Sequence, residues 1–159
     1  MLIYQILSFF INIIAFFIAI SLMVIVPVFI GTPVLWLPMF LIIAVVLYTW
    51  FSNKFRKKVL MKKKAVNYSL YDWIRVNGFI AVLFSFLNIS FIINIIRNPQ
   101  TYFTATKEFA KQFGQGGKQN FTIQNVQLLT SVMLLYLIAL FVHVFWTFSL
   151  LKRNKEFFQ

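Results

Sequence analysis

The sequence contains no cysteine, a single histidine and only three acidic residues, Asp72, Glu108 and Glu156. The absence of cysteine excludes disulfides, thiolate metal sites, iron–sulfur clusters and thiol redox chemistry. One histidine is too few for a bis-histidine haem and, without companion ligands, for a metal centre. We therefore expect neither a bound metal nor a cofactor.

Recognisable catalytic motifs are scarce as well. The Gly-x-Ser-x-Gly and His-Glu-x-x-His signatures do not occur. The glycine-rich run at 114–117 lacks the strand and the Lys-Ser/Thr pair of a phosphate-binding loop. Asp72 and Glu156 are expected on one side of a membrane and Glu108 on the other, so paired carboxylates are not expected. We predict that the chain is not an enzyme.

Apolar side chains, by contrast, are abundant. Of the 159 residues, 61% are apolar and only 11% are charged, and 21 are Phe. Soluble domains have about 45–50% apolar and about 25% charged residues, so this composition is typical of an integral membrane protein. The frequent use of Ile, Phe, Asn and Lys suggests an AT-rich, bacterial genome.

Four apolar runs are long enough to cross a bilayer as helices, because the hydrocarbon core requires about 20 residues. Pro27, Gly31 and Pro33 predict a tight turn between the first two runs, and Ser69 with Asp72 matches a capping pattern before the third. The predicted fold class is all-α, a bundle of four transmembrane helices in one membrane domain spanning residues 1–159. The predicted spans are 2–26, 34–51, 74–96 and 126–151.

The Lys and Arg residues predict the orientation, because short cytoplasmic loops are enriched in them. Eleven of them fall in the segment 52–75 and the C-terminal tail, and four in the loop 97–125. We therefore predict a basic cytoplasmic loop at 52–73 and an outer loop at 97–125, with both termini in the cytoplasm. The predicted location is the inner membrane of a bacterium. Aromatic residues near the span ends fit an interfacial belt: Trp36, Tyr48, Trp50, Tyr71, Trp73 and Trp146.

The outer loop contains one amphipathic segment. Tyr102, Thr106, Phe109 and Phe113 recur at helical spacing, and polar residues take the opposite face. We predict a short helix that lies in the membrane interface, either as a connector or as a docking element for a partner.

Polar and small residues share one face in three of the four spans, because they recur at spacings of three and four residues. In lipid, residues of this kind favour contact between helices. The second span offers only Ala44 and Tyr48. The predicted stripe residues are Ser8, Asn12, Asn77, Ser85, Asn88, Tyr136, His143 and Thr147.

These stripes allow two interpretations, helix packing or a polar path lined by Asn12, Asn88, Asn94 and His143. Packing is favoured because these residues are neutral and no acid lies within a span, where cation-coupled transporters usually place an ionisable group. His143 is interpreted as a neutral histidine bonded within the bundle or to a partner. Contact with a quinone, a lipid or a haem is the alternative.

The sequence YDWIRV at 71–76 combines charged and aromatic residues. Asp72 and Arg75 are three residues apart and can pair on a helix surface, and Trp73 can anchor the helix at the interface. A capped and anchored helix start accounts for the cluster. Contact of Asp72, Trp73 and Arg75 with a partner stays open as the alternative.

The segment Asn53–Lys64, called here the basic segment, has seven Lys or Arg among twelve residues and no acid. Nucleic-acid platforms interleave stacking aromatics with polar groups, and this segment offers only Phe55, so nucleic acid is not a predicted partner. Cations beside a span instead fix its orientation and bind anionic headgroups, with about 1 kcal/mol per residue. The residues assigned this role are Lys54, Arg56, Lys57, Lys58, Lys62, Lys63 and Lys64.

Together these features predict a non-catalytic accessory, structural or assembly subunit of a larger membrane complex, such as a respiratory, secretion or transport machine. One alternative is a small oligomeric transporter or channel whose polar path is lined by Asn12, Asn88 and His143. A second alternative is a quinone- or haem-associated membrane protein that uses His143. The expected partners are an anionic lipid bilayer and other membrane subunits.

Overall fold

The computed structural model of the chain is almost entirely helical, and it describes residues 2–30, 33, 36–112 and 122–159. Within these ranges no β-strand forms, and a single isolated parallel bridge joins Val66 to Phe158. The α-helices of these ranges are α1 Leu2–Ile30, α2 Trp36–Phe55, α3 Tyr68–Arg97, α4 Pro99–Gln112 and α5 Ile123–Arg153.

Four helices in the described part of the chain are long and apolar enough to cross a membrane. Their outward side chains are large and apolar, as expected where the surrounding solvent is lipid; Phe16, for example, is 64% exposed. The predictions of an all-helical fold and of four helices long and apolar enough to span a membrane are confirmed. The segments with this length and composition are Leu2–Val24, Trp36–Leu60, Tyr68–Arg97 and Ile123–Arg153.

The chain divides into two compact units. The first unit comprises Met1–Ser85 and Ala139–Gln159, and the second comprises Phe86–Ile138. The first unit therefore contains α1, α2, the beginning of α3 and the end of α5. The second contains the remainder of α3, all of α4 and the beginning of α5.

Helix α2 continues beyond its apolar run, which ends at Phe51. It reaches Phe55 and passes into a π-helical turn, Arg56–Leu60. The continuation is stabilised because Phe55, Val59 and Leu60 are buried and extend the inward apolar face. The non-helical connection to α3 is limited to 61–67. Four cationic residues of the basic segment consequently lie in helical turns: Lys54, Arg56, Lys57 and Lys58.

Helix α3 begins at Tyr68, six residues before the predicted start of its span. Oδ1 of Asn67 accepts a hydrogen bond from the backbone amide of Ser69 at 2.8 Å. An asparagine in this position satisfies an amide of the first turn that has no partner within the helix. The predicted cap formed by Ser69 and Asp72 is therefore wrong, because Asn67 caps the helix.

Gly78 allows α3 to approach α2 and α5 closely. A Cβ atom at this position would lie 2.7 Å from Cε1 of Phe148 and 3.3 Å from Cδ2 of Tyr48. Small residues at contacts between membrane helices permit such close packing. A larger residue at position 78 would therefore require the ring of Phe148 to shift.

Helix α4 occupies the predicted amphipathic segment of the loop 97–125. Within the second unit, the ring of Tyr102 packs edge-on against that of Phe91, with 5.4 Å between the ring centroids. The side chains of Thr106 and Phe109 lie outside the described residues, as do Phe113, the glycine-rich run at 114–117 and the predicted turn residue Gly31. The apolar face predicted for this helix and its place in the interface stay predictions.

Candidate functional site

His143 lies at the centre of a buried polar cluster in the first unit. The cluster consists of Tyr4 and Ser8 of α1, Tyr48 of α2, and His143 and Thr147 of α5, and none of these side chains is more than 1% exposed. On α1 and on α5 the two polar residues are four positions apart and therefore share a helix face. Three helices thus direct hydrogen-bonding groups at one point within the membrane-spanning segments.

Both ring nitrogens of His143 have hydrogen-bond partners. Nε2 lies 2.7 Å from the hydroxyl oxygen of Ser8, and Nδ1 lies 2.8 Å from the hydroxyl oxygen of Tyr48. The ring of Tyr4 stacks on the imidazole, with 5.0 Å between centroids and 4° between planes. The imidazole is therefore held along both nitrogen edges and on one face.

Thr147 completes the cluster. Its hydroxyl group donates to the backbone carbonyl of His143 at 2.8 Å and accepts a hydrogen bond from the hydroxyl of Tyr48 at 2.9 Å. The hydroxyl of Tyr4 lies 3.1 Å from the same threonine oxygen. Because the single hydroxyl proton of Thr147 is donated to the carbonyl, Tyr4 must be the donor in this bond.

The positions of the hydroxyl protons determine the tautomer of His143. Tyr48 donates its proton to Thr147, so its oxygen accepts from Nδ1 of His143, and Nδ1 must carry the ring proton. Nε2 is then unprotonated and accepts a hydrogen bond from Ser8. Every side-chain proton of the five polar groups has an acceptor while the imidazole is neutral, as a site within lipid favours.

This arrangement limits the chemistry of His143. A metal or haem iron would need a ring nitrogen whose lone pair is available, and the lone pair of Nε2 already accepts from Ser8. Among the described residues, no group of three or more His, Asp or Glu side chains could hold a metal ion. The geometry suits a cross-link between α1, α2 and α5.

Cavities occur elsewhere in the first unit, at the end that carries the basic segment and the C-terminal tail, called here the basic end. Three cavities at this end have volumes of about 870, 370 and 360 Å³. None of these three is lined by a residue of the polar cluster. The cluster is therefore separate from these three cavities.

The remaining stripe residues of the first unit bond along their own helices. Nδ2 of Asn12 donates to the carbonyl of Ser8 at 2.6 Å, which places Asn12 beside the polar cluster. Asn77 and Ser85 are buried, and each donates to a carbonyl four residues earlier on α3. These three residues add polarity to the packed faces without joining the cluster.

Two stripe residues belong to the second unit. Asn88 is half-buried on α3, and Tyr136 is half-buried on α5. The hydroxyl oxygen of Tyr136 is buried without a hydrogen-bond partner in the part of the chain that the structure describes. The polar path considered from the sequence thus draws Asn12 and His143 from the first unit and Asn88 from the second.

The sequence patterns miss one member of the cluster and assign another to two different environments. Tyr4 is absent from the predicted stripe, although it lies four residues before Ser8 and so continues its face. Tyr48 is predicted both for the interfacial belt and, with Ala44, as what the second span offers to the polar stripes; its side chain is fully buried and its hydroxyl joins the cluster. The belt prediction is therefore wrong for Tyr48, whereas Trp50, at 70% exposed, has the exposure that a belt residue requires.

Arg56 is the half-buried cation of the basic segment. Its Nη1 donates to the carbonyl of Gln5 at 3.1 Å, and its Nη2 donates to Oδ1 of Asn53 at 2.7 Å. Arg56 therefore links the π-helical turn to the start of α1. The other cations of the segment are exposed: Lys54, Lys57, Lys58, Lys62, Lys63 and Lys64.

The C-terminal tail folds back onto the connection between α2 and α3. The amide of Val66 donates to the carbonyl of Phe157 at 2.8 Å, and the amide of Gln159 donates to the carbonyl of Val66 at 3.0 Å. Phe158 is buried between Phe55, on which it stacks, and Tyr71, which it meets edge-on. The basic end is therefore an ordered surface.

Residues 71–75 form no ion pair with any part of the chain that the structure describes. The guanidinium of Arg75 lies over the ring of Tyr71, 5.4 Å from its centroid. Asp72 is exposed, and no salt bridge joins it to Arg75 within the described residues. Trp73 is half exposed and stacks on Phe51 with 5.6 Å between centroids. The charges of Asp72 and Arg75 are consequently available to another molecule.

Ser149 and Lys152 have the Ser-x-x-Lys spacing of some serine acyl-transfer enzymes. Those enzymes also carry Ser-Asp-Asn and Lys-Thr-Gly motifs, which this sequence lacks. Ser149 is exposed on the apolar part of α5. The spacing alone does not make this pair a candidate nucleophile and base.

Comparison of the chain with protein-family models, with curated proteins and with solved structures finds no match. The function must therefore be argued from the geometry of the chain itself.

Proposed function

We propose that the chain is a non-catalytic accessory or assembly subunit of a larger complex in a bacterial inner membrane, with both termini and the basic segment in the cytoplasm. The observation that carries the proposal is the closed polar cluster around His143. Its hydroxyl and imidazole groups bond to one another across three helices. Polar side chains used in this way stabilise helix association in lipid.

The exposed polar residues of the second unit support a membrane-embedded partner. Ser90 and Asn94 are exposed on α3 and lie one helical turn apart; together they are called here the α3 polar face. The Ser90 hydroxyl donates to the carbonyl of Phe86, and Nδ2 of Asn94 donates to the carbonyl of Ser90. Oδ1 of Asn94 can still accept a hydrogen bond. Such groups prefer a protein neighbour to lipid.

The proposed orientation is supported by the distribution of cations. Lys54 lies in the last turn of α2, and the π-helical turn that follows carries Arg56, Lys57 and Lys58. Lys152 and Arg153 lie in the last turn of α5. Positively charged residues close to the ends of spans hold those ends on the cytoplasmic side. The basic end is therefore proposed as the cytoplasmic end.

The alternative functions require the polar cluster to change. A transport path through His143 needs a hydrated opening beside it, whereas the three cavities described lie at the basic end. A haem- or quinone-associated role needs a ring nitrogen to leave Ser8 or Tyr48. The accessory role needs neither change, and for this reason we prefer it.

The proposal is tested by affinity purification from the native membrane in mild detergent, without cross-linking, followed by mass spectrometry. We expect at least one other membrane protein in a fixed ratio to the chain. The double variant Ser90→Leu/Asn94→Leu should lose this partner, because leucine removes the hydrogen-bonding groups of the α3 polar face.

The matched control is Ser21→Leu. Ser21 is an exposed serine on α1 whose hydroxyl donates to the carbonyl of Phe17 at 3.0 Å, so its local geometry resembles that of Ser90. The control should retain the partner. Recovery of the wild-type chain as a clean monomer or homodimer, or as a species with a visible absorbance band that disappears in His143→Ala, would contradict the accessory role.

A further inference from the structure

The largest of the three cavities is a groove between the start of α3 and the end of α5, with a volume of about 870 Å³. Its rim carries the cations Arg75, Lys152 and Lys155 and the single carboxylate of Asp72. All four of these side chains are exposed. The groove therefore presents an excess of positive charge to whatever enters it.

The groove becomes apolar with distance from the basic end on both helices. On α3, Phe79 follows Arg75 by four residues, and on α5, Phe148 precedes Lys152 by four residues. Four residues of helix correspond to about 6 Å. Each helix thus places a cation at the rim and an aromatic ring one turn deeper, inside a segment apolar enough to span a membrane.

The third cation is positioned by the C-terminal tail. Lys155 begins the short 3₁₀ turn Lys155–Phe157, and the next residue, Phe158, is buried against Phe55 and Tyr71. Tyr71 also lines the groove. The packing of the tail therefore holds Lys155 at the same rim as Arg75 and Lys152.

We propose that this groove is a binding site for one anionic glycerophospholipid. The phosphate of the headgroup lies between Arg75, Lys152 and Lys155, and the acyl chains lie along Phe79 and Phe148. Asp72 weakens the attraction for the phosphate because it adds a negative charge to the rim. The site is discrete, in contrast to the general attraction of the exposed lysines of the basic segment for an anionic surface.

The groove fits a lipid better than a soluble anion or an acidic peptide. Val76 and Phe79 are 57% and 61% exposed, so an apolar surface continues directly below the cationic rim. A free phosphate would leave this surface uncovered. An acidic peptide would bring backbone amides and carbonyls to a depth where they lack hydrogen-bond partners. A phospholipid has its charge and its apolar chains in the order that the groove presents.

The test uses the full chain in a neutral detergent, titrated separately with dioleoylphosphatidylglycerol, dioleoylphosphatidylcholine and inorganic phosphate. Native mass spectrometry counts the retained lipids, and the thermal unfolding midpoint reports stabilisation. We expect one phosphatidylglycerol to be retained at low concentration, with a rise in the midpoint, and no comparable effect of phosphatidylcholine or phosphate.

Two variants with matched controls locate the site. Arg75→Gln/Lys152→Gln/Lys155→Gln should bind phosphatidylglycerol about 100-fold more weakly, since each cation near an anionic surface contributes about fivefold. The control Lys54→Gln/Lys62→Gln/Lys64→Gln removes the same charge from the basic segment and should keep the retained lipid. Val76→Trp should block the apolar part of the groove, whereas Val132→Trp, at an equally exposed valine of α5, should not.

Asp72→Asn supplies a test with the opposite sign, because removal of the rim carboxylate should strengthen phosphatidylglycerol binding. The proposal is overturned if both triple variants lose the lipid equally, if phosphatidylcholine is retained as well as phosphatidylglycerol, or if inorganic phosphate alone gives the same stabilisation. It is also overturned if an acidic protein segment co-purifies in the groove and the Arg75, Lys152 and Lys155 substitutions release that segment without affecting lipid.

Discussion

His143 illustrates how a single polar side chain is accommodated inside membrane-spanning helices. Its imidazole is surrounded by hydroxyl groups, which can both donate and accept hydrogen bonds. Ser8 and Tyr48 therefore satisfy both nitrogens of a neutral ring without an acidic partner. An unpaired carboxylate at the same place would carry the large free-energy penalty of a charge within the bilayer.

The two hydrogen bonds of the Tyr48 hydroxyl should contribute to the stability of the protein. Tyr48→Phe removes the acceptor for Nδ1 of His143 and the donor to Thr147 while preserving the aromatic ring. We expect the free energy of unfolding to fall by about 1–3 kcal/mol, because a buried donor loses its acceptor. The measurement is reversible unfolding in detergent micelles, followed by circular dichroism.

Tyr68→Phe is the control for this substitution. Tyr68 is 41% exposed at the start of α3, so loss of its hydroxyl should leave the free energy of unfolding nearly unchanged. Equal stabilities for Tyr48→Phe and the wild type would show that the polar cluster does not hold the helices together.

At the scale of helices, the four long apolar helices could be predicted from the sequence. The side-chain contacts between one helix and another could not. The apolar runs identified all four spans because a helix in lipid must be both long and apolar. The spacing of Ser8 from Asn12 and of His143 from Thr147 identified inward faces, since those faces follow from helical geometry alone.

Contacts between helices could not be predicted in the same way. The periodicity of α2 places Ala44 and Tyr48 on one face, but it does not reveal that Tyr48 meets His143. The return of Phe158 to Phe55 depends on a tail conformation that no periodic pattern specifies. Two helix ends also differ from the predicted span bounds. Helix α3 begins earlier because Asn67 caps it, and the helical structure after α2 continues past the apolar run because Val59 is buried.

Phe158→Ala should release the C-terminal tail, because Phe158 is its buried anchor. Hydrogen–deuterium exchange should then accelerate at the amides of Val66, Tyr68 and Gln159, which the docked tail protects.

Phe157→Ala is the neighbouring control. Phe157 is only half-buried, and its ring contacts the ammonium group of Lys63 at 5.5 Å. The backbone bridge should survive this change, so exchange at Val66 should stay slow. Equally fast exchange in both variants, or slow exchange in both, would show that Phe158 is not the anchor.

The distribution of polar groups over the whole molecule separates three roles. Cations gather at the basic end, where three of them line the groove that we propose as a lipid site. Hydroxyls and the imidazole form the buried cluster of the first unit. Ser90 and Asn94 remain exposed on the second unit, where we propose that a partner helix binds. The central claim is that the buried cluster is a structural cross-link whose groups are already bonded to one another.

Nitrogen NMR of the ¹⁵N-histidine-labelled protein tests this claim most directly, because the chain contains one histidine and its signals require no assignment among residues. Couplings to the ring hydrogens distinguish Nδ1 from Nε2. We predict a protonated Nδ1 and an unprotonated Nε2, with the same shifts in detergent and in native lipid. A proton on Nε2, or shifts that change when a quinone or haem is added, would contradict the closed cluster.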